Sequence, residues 1–124
     1  MLRFLLDEHI YPDVATTGTT LRQEIDVVSM GAWQGETYIG QDDASIIAAA
    51  YDEGLALVTF DQATIPPLLV DHGTRYVPHA GVSFASTRTL PANEIGGIAR
   101  ALVRVWDEFG DLDWTNRVVY LAST

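Results

Sequence analysis

The chain has 124 residues, of which 48% are hydrophobic and 19% charged, so residues 1–124 are expected to form one domain with its own core. It contains no cysteine, which excludes disulfides, thiolate metal sites and thiol nucleophiles and is typical of a reducing cytoplasm. The formal net charge is −10 and there is no lysine, which argues against a basic nucleic-acid-binding face, excludes Schiff-base chemistry and favours a basic partner. No apolar run is long enough to cross a membrane, so we expect a cytoplasmic protein without membrane contact.

The first predicted element is the apolar run at residues 2–6, which is typical of a buried parallel strand. Pro12 and Asp13 are helix-start signals, and they predict a helix over residues 12–24. The β-branched run at residues 25–30 predicts a second strand.

Residues 31–41 hold three glycines and no helical period, so they predict a loop of the length that often carries function. The next helix is expected to be capped by Asp42 or Asp43 and to end at Gly54. A third buried strand is predicted at residues 55–60. The apolar stripe of this second helix is predicted to comprise Ala44, Ile47, Ala48, Ala50 and Tyr51.

The second half continues the alternation of helices and strands. Residues 62–72 are expected to be a short helix or an irregular segment, and residues 73–79 a loop. A strand at residues 81–85, an amphipathic helix over residues 91–109 and a last strand at residues 117–122 follow. This order predicts an α/β fold, with a mostly parallel sheet of about five strands and helices on both faces.

Acidic residues stand at three places that such a sheet brings together. Asp7 follows the first strand, Asp61 follows the third, and Asp43 begins the helix between the second and third strands. Because the carboxyl ends of parallel strands share one edge, we expect these three side chains to be neighbours. Clustered carboxylates repel one another, and a hard divalent cation such as Mg²⁺ or Mn²⁺ would remove that repulsion. Without metal, Asp7→Asn is therefore predicted to stabilise the fold.

Each of these residues also has a structural interpretation. Asp43 alone is more often a helix cap, and Asp61 alone is about as often the start of a turn. Glu8 alternates to the side opposite Asp7 and is expected to be solvated or to support the site. His9 is expected to pack against or cap the following helix, with a role as a ligand as the alternative. Thr59 is a candidate for orienting a carboxylate or a water. Two loop aromatics, Trp33 and Tyr38, are expected to anchor their own loop rather than to stack on a base.

Three segments occur in an order that is typical of one family: LLDEHIYPDVA at residues 5–15, DEGLALVTFD at residues 52–61 and HAGVSF at residues 79–84, with Asp43 ahead of the second. In this order and spacing the chain resembles, over nearly its whole length, the small bacterial and archaeal PIN-like domains. These are relatives of the PIN-domain ribonucleases found as toxins in toxin–antitoxin pairs.

The resemblance implies a three-layer α/β/α sandwich and an acidic cluster that holds Mg²⁺ or Mn²⁺ to cleave single-stranded RNA. The matched acids are Asp7, Asp43 and Asp61, and a toxin of this kind would pair with a small DNA-binding antitoxin and could form a homodimer. One departure is that the family often continues D-x-D-F after the third strand, where this chain has Asp61 followed by Gln62-Ala63-Thr64. The candidates to replace the missing fourth acid are Asp42, Glu8 and Asp71.

Three functions therefore remain open from the sequence. The first is a metal-dependent endoribonuclease, with Arg3, Arg75 and Arg88 as candidates for contacts to RNA phosphates. The second is a degenerate, non-catalytic PIN-like module that binds a protein partner. The third is a receiver-like signalling domain, which the absence of lysine disfavours because receiver chemistry uses one.

Overall fold

The computed structural model describes residues 1–123. It contains the strands and helices that the sequence predicts, in the predicted order. The strands are β1 (Arg3–Leu6), β2 (Asp26–Ser29), β3 (Ala56–Thr59), β4 (Val82–Phe84) and β5 (Val118–Tyr120), and the helices are α1 (Asp13–Leu21), α2 (Asp43–Glu53), α3 (Ile65–Thr74) and α4 (Ile95–Phe109), with a short 3₁₀ turn at Trp33–Glu36.

The five strands form one sheet in the order β2-β1-β3-β4-β5, and all four pairings are parallel. One buried cluster joins the sheet to α1 and α4, and a second joins the opposite face to α2 and the start of α3. The α/β/α sandwich with a five-stranded sheet is therefore confirmed. None of the helices within residues 1–123 is long and apolar enough to span a membrane.

Strand β1 is the centre of this arrangement because its side chains serve both layers. Phe4 and Leu6 point into the cluster beneath α1 and α4, whereas Leu5 points into the cluster beneath α2. All three side chains are fully buried, and each contributes about 1.5–3 kcal/mol relative to an exposed position. Burial on both faces explains why this strand is a continuous apolar run rather than an alternating one.

Helix α2 has the predicted ends but a different buried stripe. Asp42 is the N-cap, since its carboxylate accepts a hydrogen bond of 2.8 Å from the Ser45 amide, and Gly54 ends the helix in the left-handed conformation. The predicted stripe is wrong by about one position: the buried side chains are Ile46, Ile47 and Ala50, whereas Tyr51 is exposed. A one-residue rotation of 100° separates the two stripes, and alanines on several sides of the helix left the sequence pattern ambiguous.

Helix α3 is shifted towards the C-terminus relative to the segment predicted at residues 62–72. It begins at Ile65 and continues to Thr74, so it includes the start of the predicted loop at residues 73–79. Pro66 and Pro67 occupy its first turn, where the missing amide hydrogens have no helical acceptor in any case. Gly73 suggested a break in the sequence but lies within the helix.

Candidate acidic site

The predicted site residues lie around the carboxyl ends of β1 and β3. These two strands are neighbours in the sheet, but the chain leaves β1 towards β2 on one side and leaves β3 towards β4 on the other. Such a switch point opens a crevice at the carboxyl edge of a parallel sheet, and ligands of doubly wound folds bind there. Asp7 directly follows β1, and Asp61 is the second residue after β3.

Thr59 connects the two strand ends. This residue is fully buried at the end of β3, and its hydroxyl donates a hydrogen bond of 2.7 Å to Oδ2 of Asp7. The same hydroxyl accepts a hydrogen bond of 3.0 Å from the Asp61 amide. Because both bonds converge on one oxygen, the side chain of Thr59 fixes the position of Asp7 relative to the turn that carries Asp61.

Asp7 is held by the turn that it begins. Its Oδ1 accepts a hydrogen bond of 2.7 Å from the Glu8 amide, and its own amide donates to the Val58 carbonyl across the sheet. The Asp7 carbonyl accepts a bond from the Ile10 amide, which closes the turn. Each carboxylate oxygen of Asp7 thus has one protein donor, and the residue is partly exposed.

Asp61 is engaged by its own turn before α3. Oδ1 accepts hydrogen bonds from the amides of Ala63 at 3.0 Å and Thr64 at 2.8 Å, and Oδ2 accepts one from the Thr64 hydroxyl. The bonds from Thr64 lower the pKa of Asp61 below its usual value, with further lowering by the nearby His9. The structural interpretation of Asp61 as a turn-forming residue is therefore correct, and the carboxylate adds a stable negative charge at this edge.

Asp43 lies at the start of α2, and its electrostatic environment links it to both strand ends. Its pKa is raised, first by partial burial, then by the negative charges of Asp7 and Asp61, and finally by those of Asp42 and Glu8. Because charge interactions across solvent weaken over about 10 Å, Asp7 and Asp61 lie close enough to Asp43 for their charges to act on it.

Among the described residues 1–123, no three His, Asp or Glu side chains lie close enough to hold one metal ion together. A preorganised site of three carboxylate ligands is therefore not present in this part of the chain. Mg²⁺ nevertheless keeps several waters in most protein sites and is commonly bound by one or two carboxylates together with substrate phosphates. The all-oxygen donor set fits that mode of binding, with Asp43 and the partly exposed Asp7 as the available carboxylates.

Of the three candidates for the fourth acid, two lie at the acidic edge of the sheet and one does not. Asp71 lies in the last turns of α3, which end at the opposite edge of the sheet, and forms an ion pair with Arg75 at 2.6 Å. Glu8 and Asp42 both lie at the acidic edge, since both raise the pKa of Asp43. Of these two, Asp42 is engaged as the helix cap, so Glu8 is the exposed acid that remains.

The three arginines proposed as phosphate contacts do not share one surface. Arg3 begins β1 at the amino edge, where it pairs with Asp26 at 2.7 Å and donates to the Glu53 carbonyl. Arg75 follows α3 at that same amino edge. Arg88 follows β4 and therefore lies at the carboxyl edge that carries the acids. Arg88 is the one of the three whose position suits a phosphate beside Asp7.

The loop between β2 and α2 is anchored by its aromatic residues, as expected. Trp33 is buried, its indole nitrogen donates a hydrogen bond of 2.7 Å to Oε2 of Glu53, and its ring stacks on that of Tyr38 at 4.7 Å. Trp33 is therefore not free to stack on a base. No pattern in the sequence points to Glu53 as the partner of Trp33, whereas the Asp-x-x-Thr spacing of Asp61 and Thr64 is a turn-capping pattern that is visible in the sequence.

Comparisons with protein-family models, with curated proteins and with solved structures gave no match to this chain. The resemblance to PIN-like domains therefore depends on the sequence motifs and stays a prediction.

Proposed function

We propose that this protein is a Mg²⁺- or Mn²⁺-dependent endoribonuclease of PIN-like type that cleaves single-stranded RNA. The observation that supports this most is the position of Asp7, Asp43 and Asp61 at the β1/β3 switch point, where the charges of the other two oppose ionisation of Asp43. A site that collects negative charge in this way is stabilised by a cation. RNA supplies the additional phosphate oxygens that such a cation lacks here.

The residues have distinct roles in this proposal. Asp7 and Asp43 hold the ion, which when bound orients a water, lowers the pKa of that water and neutralises charge on the phosphate. Thr59 keeps Asp7 aimed into the crevice through its hydrogen bond. Asp61 contributes through its charge, since its oxygens are occupied by the turn to Thr64. Arg88 contacts the RNA backbone from the same edge.

The proposal extends to a toxin of a toxin–antitoxin pair, on the strength of the resemblance. The net charge of −10 suits a basic partner, which a small DNA-binding antitoxin would be. Such a partner would also shield the acidic crevice from RNA.

The decisive experiment compares Mn²⁺ binding and RNA cleavage in four proteins: wild type, Asp7→Asn, Asp43→Asn and Asp52→Asn. Asp52 is exposed near the far end of α2, so its substitution removes the same charge away from the site. We expect wild type and Asp52→Asn to bind Mn²⁺ and cleave single-stranded RNA, and the two site variants to lose cleavage by about 100-fold or more. Equal residual cleavage in all four proteins contradicts the proposal.

A second candidate is a non-catalytic acidic binding module. It is favoured by the engagement of both Asp61 oxygens and by the lack of a three-ligand group within residues 1–123. This candidate predicts no Mn²⁺ binding at millimolar concentration, together with binding of a basic peptide that weakens when Asp7 or Asp43 is neutralised.

A receiver-like domain has one observation in its favour, because receivers share the strand order 2-1-3-4-5. Asp61 would then be the phosphate acceptor, but its oxygens already accept three hydrogen bonds from the turn, and the chain has no lysine. Incubation with acetyl phosphate is expected to leave the protein unmodified, and mass spectrometry measures this directly.

A further inference from the structure

One face of the sheet is left uncovered at strand β5. Val118 and Tyr120 lie in register with Val82 and Phe84 of β4 and share their face of the sheet. Val82 and Phe84 are buried, yet Val118 is 40% exposed and Tyr120 is 66% exposed, because α2 and α3 do not extend over the last strand. A contiguous apolar surface of this kind is unusual on a monomeric protein.

The uncovered surface continues from β5 to the end of α3. Asn116, two residues before Val118, lines a cavity of about 400 Å³ together with Tyr76 and Val77. Tyr76 is 94% exposed and Val77 also reaches the surface. We call the side chains of Tyr76, Val77, Val118 and Tyr120 the β5 face.

The backbone of β5 is also open on its outer side. Within residues 1–123, β5 pairs with β4 alone, and the amide of Leu121 and the carbonyl of Arg117 are bonded to β4. Since the groups of successive residues alternate in direction, the amide and carbonyl groups of Val118 and Tyr120 point away from β4. These four groups form an open template for a further strand.

The strand at the opposite edge of the sheet, β2, is protected from further pairing, unlike β5. Strand β2 begins with Asp26, a charged residue held by Arg3, and its two valines, Val27 and Val28, are partly buried. Charge and cover are the usual means by which proteins block an edge strand. Strand β5 has no charged residue, proline or bulge between Val118 and Tyr120.

The charge distribution indicates what occupies the β5 face. The chain carries a net charge of −10, so two copies repel each other over most of their surfaces. Residues 114–123 contain one arginine and no acid, and Glu108, which lines a cavity with Tyr120, is paired with Arg104 at 3.2 Å. A basic partner would be attracted to the acidic surfaces elsewhere, whereas a second copy can approach without net repulsion here.

We propose that a second copy of this chain pairs with β5 in an antiparallel arrangement, with a two-fold axis at Val119. Val118 of each copy then lies opposite Tyr120 of the other, and their four outward backbone groups form hydrogen bonds across the axis. The result is a continuous ten-stranded sheet. Because the two copies run in opposite directions, their acidic sites open at opposite edges, and this pairing does not depend on the proposed function.

Sedimentation velocity over a range of concentrations tests the dimer. Wild type is expected to show a monomer–dimer equilibrium, and Tyr120→Asp is expected to raise the dissociation constant by about tenfold or more, because it places an unpaired carboxylate in the contact. Tyr11→Asp is the matched control, since Tyr11 is 52% exposed and follows β1 at a distant part of the surface. A monomeric wild type, or a dimer insensitive to Tyr120→Asp, overturns the proposal.

A single engineered cysteine tests the register, because the chain has no cysteine of its own. Val119→Cys places two thiols across the axis at a Cα separation of about 4.5 Å, within the range for a disulfide. Val118→Cys places them about 8 Å apart, which is too far. We expect oxidation to crosslink the first variant and not the second, with circular dichroism confirming that both are folded. Crosslinking of both variants, or of Val118→Cys alone, contradicts this register.

Discussion

Asp43 is the residue at which the proposed function and the stability of the fold oppose each other. Its position in the first turn of α2 favours a negative charge, but burial and four neighbouring carboxylates raise its pKa all the same. A raised pKa means that the ionised form is less stable in the folded chain than in the unfolded one. At neutral pH the charge of Asp43 therefore destabilises the metal-free protein.

We expect Asp43→Asn to increase the free energy of unfolding of the metal-free protein by about 0.5–1 kcal/mol at pH 7, a small value because solvent screens the site. The gain should vanish below about pH 3.8, where the carboxyl is neutral in both states, and should grow as the pH rises through the raised pKa. Urea unfolding at pH 3 and pH 7 measures it. Asp42→Asn is the control: hydrogen bonds from Ser45 lower the pKa of Asp42, so its substitution should not stabilise.

Asp7 is expected to respond in the opposite way, which reverses the prediction from the sequence. The sequence predicts that Asp7→Asn relieves repulsion, but the structure gives each carboxylate oxygen a donor, from Thr59 and from Glu8. An amide group can accept only one of these bonds and sets an NH₂ against the other donor. We expect Asp7→Asn to lower the free energy of unfolding by about 1 kcal/mol at pH 7 in urea titrations. An increase in the free energy of unfolding would instead show that repulsion from the neighbouring carboxylates outweighs these hydrogen bonds.

His79 makes stability depend on pH near neutrality. It is buried at the amino edge of β4, its Nδ1 accepts a hydrogen bond from the Gly81 amide, and its pKa is lowered by burial and then by the nearby His72. The unfolded chain therefore takes up this proton first as the pH falls below about 6.5. Stability is complete above that value and is lost on acidification, by at most about 1.4 kcal/mol per pH unit for one proton.

Thermal unfolding between pH 8 and pH 5.5 measures this loss. His79→Asn keeps an acceptor for the Gly81 amide and is expected to flatten the dependence on pH. His9→Asn removes an exposed imidazole and serves as the control. A steep dependence that persists in His79→Asn would assign the effect to other groups.

At the scale of secondary-structure elements, the start of β4 depends on one glycine. Gly81 has φ of +107°, and a Cβ there would lie 2.9 Å from the ring of Trp114 and 3.2 Å from its carbonyl oxygen. Trp114 is buried, although the sequence alone gave no reason to place it in the core. The glycine of the HAGV segment is thus explained by backbone conformation and by the approach of the segment before β5.

Gly81→Ala is expected to lower the free energy of unfolding by about 2–4 kcal/mol, because strain at positive φ adds to the clash with Trp114. Gly73→Ala is the matched control. Gly73 lies in α3 with nothing near its Cβ position, so alanine there should stabilise by about 0.5–1 kcal/mol. Denaturant titration measures the change in the free energy of unfolding for each variant, which should be negative for Gly81→Ala and positive for Gly73→Ala. Equal changes in the two variants would contradict the role given to Gly81.

At the scale of the whole molecule, the charge of −10 makes stability sensitive to cations. We expect Mg²⁺ to raise the melting temperature more than NaCl of the same ionic strength, since NaCl only screens repulsion whereas Mg²⁺ also binds. A concentration of ten times the dissociation constant adds about 1.4 kcal/mol. Asp43→Asn should lose the part specific to Mg²⁺ and keep the response to NaCl. Identical curves for the two salts in wild type would show screening alone.

The sequence by itself determined the order of elements, the parallel sheet and the edge at which Asp7 and Asp61 emerge. Those features follow from hydrophobic periodicity and from local start and stop signals, which act within a few residues. The ends of α2 were predictable for the same reason, because Asp42 and Gly54 carry out their capping locally.

Only the tertiary structure decided which acids are free and which are engaged. The bond from Thr59 to Asp7 joins residues 52 positions apart, and the ion pair of Arg3 with Asp26 joins two neighbouring strands. The exposure of Tyr120 likewise depends on where α2 and α3 end over the sheet. Such contacts are set by packing between distant segments, and a pattern read along the chain does not contain that information.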